Sequence, residues 1–153
     1  MSKDEGRRVV ARNRKARHEF DILETVEAGM ELKGPEVKSI RAGHVAFQDA
    51  FARVDHGEMW LYNLHVSPYE QANRENSDPI RARRLLLNKR EIRQLGAQVD
   101  EKGLTLVPLE IYFSRGFAKL TLGVARGRKL HDKREALKRR VQEREAQRAM
   151  ETH

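Results

Sequence analysis

Apolar and polar residues alternate over short runs set off by Gly, Pro, Asn and Asp, the pattern of a mainly β chain. Phe20 and Ile22 alternate with Asp21 and Leu23, which predicts a short strand. Thr25 then offers a cap, and Val26 and Met30 lie four apart before Gly34, so a short helix is expected between them. Pro35 to Arg41 reads as a second strand, ended by Ala42-Gly43, and Val45, Phe47 and Phe51 as a third. Asp55-His56-Gly57 is a hairpin signal with Glu58 to Val66 as the returning strand, closed by Ser67-Pro68. Residues 70–84 are polar and expected to form a long surface loop. Leu85-Leu86-Leu87 leads into Asn88 with Glu91 three positions on, a capping box opening a helix that turns Ile92 and Leu95 inward and ends near Gly96. Leu109, Ile111 and Phe113 share one strand face, and Arg115-Gly116 turns the chain. Leu120, Leu122 and Val124 answer, with Lys119 and Thr121 outward. Pro108 marks an edge or a bulge. About six strands with two short helices fit a small closed β-barrel.

The two ends do not share this pattern. Residues 1–17 are polar and basic without periodicity, a basic N-terminal arm rather than an element. From Arg126 to His153 the large apolar residues are Leu130, Leu137, Val141 and Met150, a stripe too thin to hold a helix on a core. Such a segment is marginal as an isolated helix and is expected to be disordered until a negatively charged partner makes it helical. The expected organisation is therefore an arm over 1–17, a barrel over 18–125 and a basic tail over 126–153.

Charge sharpens the division. The chain carries net +8 over 153 residues. Residues 1–18, 79–93 and 126–153 each carry net +5, so the remainder is acidic. An acidic body with three basic stretches fits a polyanion partner better than generic basicity does. The chain has no cysteine, hence no disulfide framework or thiolate metal site. It has no apolar run of membrane-spanning length and no signal-peptide pattern, which points to the cytoplasm.

Candidate chemistry is sparse. Glu36-Val37-Lys38 on a strand, with Asp21 upstream, is the skeleton of a Mg²⁺-dependent nuclease, in which carboxylates hold the metal and the lysine steadies the attacking water. That order is common by chance, and a strand edge with Lys38 facing solvent or phosphate is the preferred alternative. The histidines show no i, i+4 pair or zinc spacing. There is no Gly-rich phosphate loop, and Ser39, Ser67, Ser77 and Ser114 lack a nucleophile's context. Most aromatic residues fall on inward strand faces, which disfavours base stacking along a single strand and favours recognition of a folded RNA by shape and backbone. The basic stretch over 81–90 adjoins a helix start at Asn88, where free N–H groups favour phosphate.

Several blocks recur together in order. They are Asn13-Arg14-Lys15-Ala16-Arg17-His18-Glu19-Phe20, Glu27-Ala28-Gly29, Gly34-x-Glu36-Val37-Lys38-Ser39, Arg41-x-Gly43, Arg83-Arg84-Leu85-Leu86-Leu87, Lys89-x-Glu91-Ile92, Leu106-Val107-Pro108 and Asp132-Lys133-Arg134. In this order and spacing, from about residue 9 to 150, the chain resembles the SsrA-binding protein (small protein B) family of bacterial trans-translation. The resemblance implies an OB-like closed barrel that binds the tRNA-like domain of transfer-messenger RNA and acts without enzymatic activity or cofactor. It implies RNA contacts from Asn13, Arg17, Glu27, Lys38, Arg41 and Leu87. Lys15 and His18 beside them, and Arg83, Arg84, Asn88 and Lys89 of the basic stretch, complete the candidate set. For the tail it implies insertion into the empty mRNA channel near the small-subunit decoding centre. Gly127, Arg128, Lys129, His131, Asp132, Lys133 and Arg134 would lie nearest, followed by Lys138 and Arg139, the latter paired with Glu135 at i, i+4. Elongation factor Tu would be met indirectly, through the aminoacylated RNA, and the protein is expected to be a monomer. Arg128-Lys129 stands where Lys-Lys is usual, Arg84 where Lys is common, and Pro35 where Thr or Trp is usual.

Overall fold

The computed structural model describes residues 7–69 and 78–128. In chain order the elements are β1 (Arg7–Arg12), α1 (Arg14–Glu19), β2 (Phe20–Met30), α2 (Gly34–Arg41), β3 (Val45–Ala46) and β4 (Phe51–Asp55). There follow β5 (Glu58–Tyr62), β6 (His65–Val66), β7 (Arg83–Leu86), α3 (Lys89–Lys102), β8 (Thr105–Ser114) and β9 (Phe117–Gly127). The fold is mainly β with three helices among the described residues.

The main sheet has the order β1-β8-β4-β5-β7-β2-β9, and β8 also pairs with β9. The pairings therefore run in a circuit from β8 through β4, β5, β7, β2 and β9 back to β8. Two junctions are thin: β4 meets β8 at Ala52↔Leu106, and β2 meets β7 at Gly29↔Leu86 and Met30↔Leu85. The long ladders are β2 with β9 and β8 with β9. β3 and β6 form a separate two-stranded ladder. Ile40, Met59, Leu61, Leu64, Leu85, Leu106, Ile111, Leu120, Leu122 and Val124 form the buried centre. A smaller cluster of Ala16, Val107, Leu109 and Ala125 lies beneath α1.

The helix expected after Thr25 is strand. Val26 and Met30, four apart, satisfy period two as well as period 3.6, and the register settles it. Val26 faces Leu122 and Ala28 faces Leu120, while Thr25, Glu27 and Gly29 point outward. The strand expected over Pro35–Arg41 is helix α2. Pro35 lies in its first turn, where a missing N–H costs nothing, and the Glu36 carboxylate accepts the Lys33 backbone N–H at 2.9 Å. Glu36 and Ile40, one turn apart, are buried, whereas Lys38 and Arg41 are exposed. Residues 7–17, expected to form no element, make β1 on the β8 edge and most of α1. The expected third strand splits into β3 and β4 around Asp49, which has φ 61°, and the returning strand breaks at Asn63, with φ 63°. Residues 83 and 84, placed in a loop by their polarity, begin β7. Helix α3 runs past Gly96 to Lys102, where Gly103 (φ 62°) supplies the left-handed cap.

Both expected hairpins are present, with His56-Gly57 and Arg115-Gly116 at positive φ as a two-residue type I′ turn requires. The register of β8 against β9 shifts between Pro108 and Glu110, so Pro108 sits at a bulge as expected.

Candidate nucleic-acid interface

Directly opposed residues in antiparallel strands share a face, so the register fixes what the sheet presents outward. One row runs Val9, Tyr112, Lys119, Gly29, Leu86 across β1, β8, β9, β2 and β7. The next runs Arg12, Glu110, Thr121, Glu27, and on the other side lie Arg7, Ser114 and Phe117. Glu27, Leu86 and Phe117 are exposed. Gly29 lets β7 approach: a Cβ there would lie 3.2 Å from that of Leu86.

Glu27 is oriented from below. The Arg7 guanidinium lies 3.8 Å over the Tyr112 ring, donates to Glu110 Oε1 at 2.5 Å and Thr121 Oγ1 at 3.2 Å, and sits 3.7 Å from Glu27 Oε1. Tyr112 is buried on an outward position because Arg7 covers it. Burial, then the Glu27 carboxylate, pushes its hydroxyl above the ordinary phenol range. Arg7 thus holds two carboxylates together on a surface they would otherwise make acidic.

The other candidate residues of the body fall into two groups, the first of which lies at the surface. Lys15, Arg17 and His18 are exposed on α1, and Lys38 and Arg41 are exposed on α2. Arg41 stands 4.9 Å over the Phe113 ring and Lys38 5.2 Å over Tyr69, so both cations are steered by aromatic faces. Asn88 and Lys89 are exposed at the start of α3, where Asn88 Oδ1 accepts the Glu91 N–H at 2.8 Å. Arg84 is half-buried and paired with Glu58 at 3.3 Å and Glu31 at 3.4 Å.

A second group is committed inward. Arg83 is 0 % exposed, so it offers RNA no surface. Its Nε donates to Glu36 Oε2 at 2.8 Å, Nη1 to the carbonyls of Leu64 (2.7 Å) and Arg81 (3.1 Å), and Nη2 to that of Pro79 (3.1 Å). Burial lowers its pKa against the opposing pull of Glu36. For Glu36, burial acts upward, but bonds from Arg81 and the Lys33 N–H and the charge of Arg83 outweigh it and leave the carboxyl below its usual range. Asn13 caps α1 by accepting the Ala16 N–H at 3.2 Å, while its Nδ2 donates to the Pro108 carbonyl at 2.8 Å. Leu87 packs partly onto the core, and its neighbour Leu86 is the leucine in solvent, 48 % exposed. Three apolar residues in a row hide which one faces out; the strand's pairing with β2 reveals it. In sequence Lys119 shows only as an outward strand residue, and its register with Gly29 is what joins it to Glu27 and Leu86.

The nuclease skeleton does not assemble as expected. Glu36 and Lys38 stand on a helix with Glu36 buried between two arginines, and Asp21 pairs with Arg128 Nε at 3.1 Å. Among the described residues no group of three or more His, Asp and Glu side chains is placed to hold a metal. Nor is any described helix long and apolar enough to cross a membrane.

Of the tail residues, Gly127 ends β9 and Arg128 is tied to the body. Its backbone N–H donates to Glu19 O at 2.8 Å and its Nη2 to Arg17 O at 3.2 Å. Lys129, His131, Asp132, Lys133, Arg134, Lys138 and Arg139 lie outside the described residues.

A mainly β body that sets a carboxylate, a lysine and a bare leucine side by side on one sheet face, with exposed cations on its helices, is that of a protein suited to binding across a surface. The comparisons specify which. The model of the family described as SmpB protein matches residues 10–152, and the chain belongs to that family. It is 54% identical over 143 residues to the SsrA-binding protein of Carboxydothermus hydrogenoformans, covering 94% of this chain and 96% of the relative. To the SsrA-binding protein of Geobacillus thermodenitrificans it is 55% identical over 149 residues, covering 97% and 96%. A chain of the solved assembly "tmRNA-SmpB: a journey to the center of the bacterial ribosome" superposes with TM-score 0.66 at 58% identity, covering 76% of this chain and 82% of that one.

Proposed function

We propose that the protein is a non-enzymatic adaptor that binds the tRNA-like domain of transfer-messenger RNA and brings it to stalled ribosomes for trans-translation. The observation that carries this is the alignment of Glu27, Leu86 and Lys119 on one open sheet face, in a chain whose relatives are named for binding SsrA RNA. Lys119 supplies charge to a phosphate, Glu27 accepts from a base N–H or a 2′-hydroxyl, and Leu86 packs on a sugar or base. Lys15, Arg17, His18, Lys38, Arg41 and Lys89 flank this centre as phosphate contacts. Asn13, Arg83 and Asn88 act by holding the elements that carry them.

The strand circuit supports an OB-like barrel closed through its two thin junctions, with β1 and α1 built onto it and a basic tail after β9. The tail would enter the empty mRNA channel beside the decoding centre, where an RNA wall supplies the counter-charge to Lys129, Lys133, Arg134, Lys138 and Arg139. A monomer acting in the cytoplasm, and meeting elongation factor Tu only through the aminoacylated RNA, fits this role.

The test is retention of the tRNA-like fragment in a gel-shift titration. Glu27→Ala, Leu86→Ala and Lys119→Ala should each weaken binding about tenfold, while unrelated hairpin RNA binds weakly to all. A chain cut after Arg128, which keeps β9 and its anchor, should hold the RNA and lose tagging of stalled peptides. Equal affinity for unrelated hairpins, or no response to the three substitutions, would refute the assignment.

A further inference from the structure

Phe117 is 71 % exposed, more than any other large apolar side chain among the described residues. It stands at the tip of the β8–β9 hairpin, directly opposite Ser114 and so one row from Lys119 on the same face. Nothing in the fold requires a ring there, since a polar residue would close the same hairpin at no loss of packing.

The turn adds a second anomaly. Arg115 takes φ 51°, a left-handed conformation that Gly or Asn adopts more readily, and Arg there is strained. The chain thus places an aromatic ring in water and a cation in an unfavourable backbone conformation within three residues, both on a tight hairpin that fixes their position. Arg7 enters from β1 opposite Ser114, and Lys119 lies one row in. With Arg7 already committed to Glu110 and the Tyr112 ring, an exposed ring that has Arg115 two positions away and Lys119 one row in suits an unpaired nucleobase and its phosphate: ring on base, guanidinium on phosphate.

We propose that the β8–β9 hairpin tip is a base-stacking subsite, in which Phe117 receives an unpaired RNA base and Arg115 its adjoining phosphate. This extends the Glu27–Leu86–Lys119 face along the sheet and rests on the RNA-binding role proposed above. It also adds a requirement that the Glu27–Leu86–Lys119 face does not impose, that one nucleotide of the ligand be unpaired.

The experiment uses the full chain and the tRNA-like fragment of transfer-messenger RNA over a series of salt concentrations. Phe117→Ala should weaken binding about five- to tenfold, the low end of what a stacked base is worth, with an unchanged salt slope. Phe117→Trp should retain affinity, and its emission, compared with that of the parent containing Trp60 alone, should be quenched on adding RNA. Arg115→Gly should fold at least as stably as the parent, yet bind more weakly, with a salt slope reduced by about one. If the parent binds and Lys119→Ala weakens it while Phe117→Ala stays within twofold, the subsite is refuted and the wider RNA face stands. If the parent does not retain the fragment, both readings fall. A Phe117→Ala variant that binds RNA normally but loses ribosome rescue also overturns the subsite, because the tip then serves another partner.

Discussion

Replacing Glu36 by Ala tests whether the carboxylate that looks most chemical in the sequence is structural. Glu36 accepts from Arg81 Nε at 3.0 Å, Arg83 Nε at 2.8 Å and the Lys33 N–H at 2.9 Å, and Arg83 behind it has no exposed surface. Without the carboxylate, Arg83 is a buried charge compensated only by the carbonyls of Leu64, Pro79 and Arg81. Breaking a buried pair from one side costs about 3–5 kcal/mol. For a domain of this size that lowers Tm by roughly 10–15 °C. Glu36→Gln keeps an acceptor and the shape, so its loss should be about half. Replacing Glu36 and Arg83 together by apolar residues should not restore the parent's stability, because those three carbonyls would lose their donors. The pH dependence follows from the depressed carboxyl. Its stabilisation is complete above the unfolded pKa, about 4.3, and is lost as pH falls through the lower folded value. Urea unfolding of parent and Glu36→Gln from pH 7 to 3 should therefore show a gap that narrows only below about pH 4.3. A cost for Glu36→Ala under about 1 kcal/mol, or a gap that widens in acid, would refute the assignment.

Three further outcomes are expected. Asn13→Ala removes a helix cap and a bond to the Pro108 carbonyl, so it should destabilise by about 2 kcal/mol in denaturant titration; Asn13→Asp should recover the cap's share. A Cβ on Gly123 would lie 3.0 Å from Leu109 Cδ1 in a buried cluster. Gly123→Ala should therefore cost about 1–3 kcal/mol, and a double-mutant cycle with Leu109→Ala should show the two substitutions to be coupled. Arg7→Ala leaves Glu27 and Glu110 without their shared cation, so RNA affinity should fall through added repulsion. Adding Glu110→Gln should restore part of it, whereas loss of a direct phosphate contact would not be rescued.

The ordered motifs point to the family, yet local pattern misleads where a residue's partner lies far along the chain. Val26 and Met30 fit a helix until Leu122 and Leu120 of β9 are set opposite their strand. Pro35 carried the correct signal, a proline in a first turn followed by a reach-back Glu36, but its neighbours read equally well as strand. Arg83 looked like a phosphate contact because positive charge is visible in sequence and burial is not. Its commitment depends on Glu36, forty-seven positions away. The same separation explains the proposed face: Glu27, Leu86 and Lys119 become neighbours only through Gly29, which pairs with Leu86 on one side and Lys119 on the other. A glycine there does two jobs at once. It lets β7 come close enough for Leu86 to lie beside β2, and it yields its own side-chain space to that leucine, whose Cβ and Cδ1 stand 3.2 and 3.4 Å from where a Gly29 Cβ would be. A Val side chain at this position would meet Leu86 Cβ and Cδ1 at once, so it would push that leucine off the proposed face or β7 away from β2.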